Sequence, residues 1–206
     1  MTAVDLSDRF PTDTDPAAKR SGKYLPGEVG LWVMVIGDMT FFSLFFGMIL
    51  VCRGQQKEMF DAAQNLLHPD LAVVNTLVLL TGSYFVARAL HSLRNGGRPR
   101  GLVVATMGCA ITFATIKVTE YVDLVQGGHT LTTNDFFMYY FVFTGIHLLH
   151  LLIGFCMLVA LLVIAFTPKT RQLTRGRLKL AEISAVIWHM IDLLWLVLFP
   201  LFYVVH

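Results

Sequence analysis

The sequence predicts an all-α membrane protein, a bundle of five transmembrane helices with the N-terminus in the cytoplasm and the C-terminus outside. Three observations carry this expectation. Of the 206 residues, 55% are hydrophobic and only 15% charged, whereas soluble domains hold about 45–50% apolar and about 25% charged residues. The mean hydropathy is +0.64, and the apolar residues gather into stretches of the roughly 20 residues that cross a bilayer. Finally, most of the sixteen Lys and Arg fall into alternate connections between those stretches, the asymmetry that orients membrane helices.

The elements follow in order. Residues 1–28, "MTAVDLSDRFPTDTDPAAKRSGKYLPGE", are polar and rich in Asp, Thr and Pro. They lack the basic start and apolar core of a signal peptide, so they read as a flexible cytoplasmic tail, and residues 29–206 form the transmembrane domain. Spans are expected at 29–52, 71–93, 102–122, 136–166 and 180–205. The fourth is long enough to tilt. Arg9, Lys19, Arg20 and Lys23 precede the first span; Arg94, Arg98 and Arg100 follow the second; Lys169, Arg171, Arg175, Arg177 and Lys179 follow the fourth. The two remaining loops hold only Arg53 and Lys57, which places them outside. In the loop 54–70, Met59, Phe60, Ala63, Leu66 and Leu67 recur at helical spacing, the pattern of a short amphipathic surface helix; a solvated loop is the alternative. Cys52, Cys109 and Cys156 lie far apart in or beside apolar segments and read as small hydrophobes, with no CxxC metal or redox spacing. The basic loops carry too few aromatics for nucleic-acid binding and serve as topology anchors.

Information about function concentrates in the polar residues inside the spans, because a charge at membrane depth needs a partner or a task. Asp38 sits in the middle of the first span. Asn75 lies near the outer end of the second, and Arg88 and His91 near its inner end, where they can snorkel. Lys117 and Glu120, three apart in the third, face each other as an intrahelical pair near the outer surface. His147 and His150 occupy the fourth. Glu182, His189 and Asp192 form one stripe of the fifth, with about 15 Å of depth between the first and last. Asp38, His147, His150 and Asp192 are expected near the midplane, with Asp38 either protonated or hydrogen-bonded to His147, His150 or His189. Trp32, Trp188, Tyr24, Tyr139 and Tyr203 are expected in interfacial belts or against lipid.

Two explanations of the midplane group compete on the residues alone. One is a hydrogen-bonded seam that satisfies buried polar groups and holds helices in register. The other is a metal or haem site, since His147-x-x-His150 and His189-x-x-Asp192 supply three imidazoles and a carboxylate with helical spacing. His147 and His150 share a helix face and cannot clasp one haem iron from opposite sides, although a pair such as His147 with His189 could. Membrane di-iron enzymes carry denser histidine clusters near the surface than the seven histidines here.

Several blocks in order carry a resemblance. They are "GDMTFFSLFFG" with its buried acid and Phe pair, "VVNTLVLLTGSYFVARALHSLRNG" with Asn75, Thr76 and His91, and "KVTEYVDL" with Glu120 and Tyr121. "TGIHLLHLLIG" and "EISAVIWHMIDLLWLVLF", the latter with Glu182, Trp188, His189, Asp192 and Trp195, complete the set. The stretch 27–206 resembles subunit III of the haem-copper oxidases, the cytochrome c oxidase subunit III family. The opening "LPGEVGLWVMVIGD" is most similar to a five-helix branch associated with nitric oxide reductases. Two departures stand out: five spans instead of the seven of longer members, whose extra N-terminal pair walls a lipid cleft, and Asp38 where mitochondrial-type members usually carry Glu.

The resemblance implies a multi-pass subunit of a bacterial plasma membrane, packed against catalytic subunit I, or against a nitric oxide reductase catalytic subunit. It implies no catalytic residue, haem, copper or other metal in this chain. Haem and copper, or haem and non-haem iron, would sit in the partner, with bound phospholipid here and a supporting role in assembly, proton uptake and turnover stability. A stand-alone metal- or haem-dependent membrane enzyme is the alternative of a different class.

Overall fold

The computed structural model describes residues 29–166 and 174–204. The tail 1–28 with Tyr24, and Lys169 and Arg171 of the basic loop, lie outside the described residues. Six α-helices follow one another: α1 (Val29–Gln55), α2 (Lys57–Gln64), α3 (Pro69–Arg94), α4 (Arg100–Gln126), α5 (Asp135–Ala165) and α6 (Arg175–Tyr203). All but α2 are long and apolar enough to cross a membrane, matching the five expected spans with ends displaced by a few residues.

Local chemistry sets the helix ends. Pro69 stands in the first turn of α3, where a missing N–H is harmless. After α3, Gly96 takes φ 73°, a left-handed conformation that favours glycine. Gly128, with φ 83°, makes the same turn after α4. The Asn134 side chain accepts a hydrogen bond from Phe137 N at 2.9 Å and caps α5, satisfying one orphan donor of the first turn.

Helices α3, α4, α5 and α6 form the packed body, with α6 against both α3 and α5, and α4 against α3 and α5. α6 is the most enclosed span and α1 the least. α1 packs on α6 and α2 and inserts Phe42 and Ile49 into the core, while Val33, Ile36, Leu44 and Val51 stay exposed. The helix expected in the outer loop forms as α2. Its Phe60 is buried and meets Phe136 of α5 edge-on at 5.5 Å, and Arg53 pairs with Asp61 at 2.9 Å, so α2 docks on protein.

Glycines let the helices approach closely. A Cβ at Gly154 of α5 would lie 2.6 Å from Ile191 Cδ1 and 3.4 Å from Trp188 Cε3. At Gly82 of α3 it would meet Cys109 Cβ at 3.3 Å and Trp188 Cζ2 at 3.4 Å. The indole of Trp188 thus fills the notch left by two missing side chains, as small residues allow in membrane packing. The belt expectation is corrected here: Trp188 is fully enclosed, and Tyr139 and Tyr203 are buried. The position of an aromatic along a span says nothing about which way it faces.

Candidate functional site

The midplane polar groups do not converge on one centre. Asp38 and His150 pair, His147 and Asp192 find no hydrogen-bond partner among the described residues, and the other polar contacts in the spans join particular helices separately. Between α1 and α5, His150 Nε2 lies 3.2 Å from Asp38 Oδ2. The approach is close but off the line of a good hydrogen bond, since Oδ2 meets no aligned donor. The other ring nitrogen, Nδ1, lies 2.9 Å from the carbonyl of Ile146. A carbonyl only accepts, so Nδ1 carries a proton. Nε2 is then the ring nitrogen that faces the Asp38 carboxyl group. Of the three imidazoles expected beside Asp38, His150 is the one that lies close, without an aligned hydrogen bond.

His147, three residues earlier, turns the other way. Its ring is completely buried, 5.5 Å from that of Phe113 and 5.3 Å from that of Trp195, and neither nitrogen finds a hydrogen-bond partner among the described residues. His147 therefore takes no part in the Asp38 pairing.

A ladder of polar contacts joins α3 to α6. Trp195 Nε1 donates to Thr76 Oγ1 at 3.0 Å, Ser83 Oγ and His189 Nδ1 share a hydrogen bond of 2.6 Å, and Arg94 donates to Glu182 at 2.8 Å. Rising numbers on α3 meet falling numbers on α6, so the ladder fixes an antiparallel register. Asp192 is buried on the same stripe, and neither carboxyl oxygen makes a hydrogen bond among the described residues. His91 turns to Asn95 at 3.0 Å near the end of α3, and Arg88 is exposed, as snorkelling groups would be. Asn75 reaches the carbonyl of Phe113 at 3.4 Å.

The most enclosed charges lie elsewhere. Lys117 and Glu120 of α4 pair at 2.7 Å with side chains only 1% and 2% exposed. Lys117 Nζ also donates to Tyr203 OH at 2.7 Å and Tyr140 OH at 3.0 Å, which uses all three ammonium donors. Tyr203 OH in turn donates to Glu120 Oε1 at 2.7 Å. The Lys117 nitrogen lies 5.0 Å from the centre of the Trp195 ring, within cation–π reach. The pair is intrahelical as expected, but it is the centre of a four-residue knot tying α4, α5 and α6, not a peripheral contact. Beside it Tyr121 and Thr144 share a hydrogen bond.

Ser83 and Tyr140 are the members that sequence reasoning passed over, while Arg94, expected as a loop anchor, and Tyr203, expected as an interfacial aromatic, take part in these contacts as well. Tyr140, Thr144, His147, Leu151, Gly154 and Leu158 recur every three or four residues along α5 and are all buried. That spacing places Tyr140 on the same inward face as His147, a signal available in the sequence. Among the described residues no three His, Cys, Asp or Glu side chains gather as a metal-binding group would require.

The fold and its paired polar groups define a polytopic membrane protein whose buried charges link helix to helix. Residues 28–206 match the family described as cytochrome c oxidase subunit III, and the chain belongs to that family. It is similar to the "Quinol oxidase subunit 3" of Bacillus subtilis, 26% identical over 174 residues that cover 83% of each chain. It is likewise similar to the "Cytochrome c oxidase subunit 3" of Thermostichus vulcanus, 28% identical over 180 residues, 85% of this chain and 86% of that one. The "Heme-copper oxidase subunit I+III" of Aeropyrum pernix is 28% identical over 184 residues, 85% of this chain and 22% of that protein. Nothing in these matches singles out the nitric-oxide-reductase-associated branch.

Proposed function

We propose that this chain is a non-redox accessory subunit of a haem-copper terminal oxidase in a bacterial plasma membrane, seated against the catalytic subunit I. The observation that carries the proposal is the family match over residues 28–206, which includes every transmembrane helix. A relative named as a fusion of subunits I and III supports a partner of the subunit I type. The nitric oxide reductase alternative rests only on the opening of the first span.

The chain's own residues hold helices in register and carry no redox centre. His147 is walled by aromatic rings, His150 is engaged with Asp38 and a backbone carbonyl, and His189 is engaged with Ser83. None of the three is set to ligate an iron or copper with another. Haem and copper belong to the partner. Asp38, His147, His150, Glu182, His189 and Asp192 act as a positioning framework, through which the subunit sustains assembly, proton uptake and durable turnover of the complex. Basic loops on alternate sides support N-in, C-out orientation. A groove of about 360 Å³ lined by Ala110, Ile111, Leu148, Leu152 and Phe155 of α4 and α5 suits an acyl chain of a phospholipid.

Affinity purification of the tagged chain from native membranes tests the proposal. The catalytic oxidase subunit and a haem spectrum should accompany it, whereas the isolated chain should hold no stoichiometric metal. About one iron, copper or zinc per isolated chain, lost in His150→Ala, would establish the stand-alone metal enzyme instead.

A further inference from the structure

His189 stands midway along the 29 residues of α6, so roughly 21 Å of helix separates it from either end, too far for an imidazole to snorkel. It is nevertheless exposed on the bundle surface. Nδ1 is taken by Ser83 Oγ at 2.6 Å, and Nε2 makes no hydrogen bond among the described residues. Other exposed polar groups in the spans behave differently. Thr40, Ser43, Thr81, Thr112 and Thr115 each return the hydroxyl to a carbonyl of their own helix, an arrangement compatible with lipid. Around His189 the surface is apolar, with Leu193, Leu196 and Val197 of α6 and Leu80 of α3 all exposed.

Hydrocarbon offers nothing to an imidazole nitrogen. A single polar anchor set in an apolar helix face is the chemistry by which transmembrane helices pair. We infer that the α3/α6 face centred on His189 is covered in the assembled complex by a transmembrane helix of the catalytic subunit. That helix presents a hydroxyl, amide or carboxyl group at mid-depth to His189 Nε2. The inference rests on the functional proposal above and gives it a location. The α4/α5 face is the contrast: Ile111, Val118 and Leu152 are exposed there around an apolar groove, a surface that lipid satisfies unaided.

Site-specific photo-crosslinking in the assembled complex tests it. Benzoylphenylalanine placed at position 193 or 196 should couple to the catalytic subunit, and the same probe at 118 or 152 should not. His189→Leu should lower the catalytic subunit retained through detergent washing at least threefold, while His189→Gln, which keeps a hydrogen-bonding group, should retain it. Coupling only from 118 or 152 overturns the inference, as does coupling from 193 and 196 to lipid alone or to a second copy of this chain. Failure of the unmodified chain to co-purify with a catalytic subunit defeats the functional proposal, and the location falls with it. Co-purification with crosslinks on the wrong face defeats the location only.

Discussion

Replacing Glu120 by Gln should be among the most destabilising conservative changes in the chain. Lys117 is 1% exposed, and its ammonium has three partners: Glu120 at 2.7 Å, Tyr203 at 2.7 Å and Tyr140 at 3.0 Å. Glu120 supplies the only opposing charge in that set. Removing one partner of a buried ion pair costs about 3–5 kcal/mol, because the remaining charge stays buried without compensation. The two phenol oxygens and the nearby aromatic rings soften that loss, which places Glu120→Gln at about 3 kcal/mol, the lower end of the range. Lys117→Met should cost a similar amount by stranding the carboxylate. The double variant removes both charges and should recover most of the loss, giving a coupling of at least about 2 kcal/mol. Trp188 and Trp195 are 0% and 1% exposed, so tryptophan fluorescence during titration with a denaturing detergent reports opening of this core. Single variants within about 0.5 kcal/mol of wild type, as for surface substitutions, or costs that simply add in the double variant, would refute the reasoning.

Asp38→Asn should keep a donor facing His150 Nε2 and leave assembly and turnover nearly intact, whereas Asp38→Leu strands that nitrogen at about 1–3 kcal/mol. Gas consumption normalised to assembled complex distinguishes a structural from a proton-relay role, and a large loss in Asp38→Asn with normal assembly would establish the relay. Gly154→Val should weaken the bundle by about 1–3 kcal/mol through overpacking, since even one carbon there approaches Ile191 Cδ1 to 2.6 Å; unchanged detergent resistance would refute the notch. A reporter active only outside the cytoplasm should be active when fused after His206 and silent between α3 and α4; the reverse pattern would overturn the orientation.

The five spans and the amphipathic α2 were legible because length and hydropathy decide them. The pairing of Asp38 with an imidazole was legible too, since the hydrocarbon leaves a carboxyl few options. Which imidazole, however, depends on helix rotation. His147 and His150 are three residues apart and yet face different helices. Rotation is poorly encoded in such segments because the lipid-facing and the core-facing sides are both apolar. The burial of Trp188 depends on Gly82 and Gly154, which come from two other helices. Tyr203 meets Lys117 across 86 residues of sequence, a contact that no local pattern announces. The expected single seam therefore resolved into separate contacts, among them Asp38 with His150 between α1 and α5 and three pairings between α3 and α6.

The spacing of Lys117 and Glu120 also bears on how the chain enters the bilayer. Their pairing lies within one turn of one helix, so it forms as soon as that turn forms, and α4 can leave the translocation channel already neutralised. Its tyrosine partner Tyr203 is 86 residues further on, which at about 5–20 residues per second is a wait of about 4–17 s. Asp38 has no such local partner. The imidazole it faces is three spans downstream, so α1 stands in or beside the channel with its acid unpaired until α5 arrives. α1 precedes the other described helices yet waits for α5 before its acid is paired, and a chain stalled before His150 presents a lone acid at membrane depth to the machinery that clears unassembled membrane proteins.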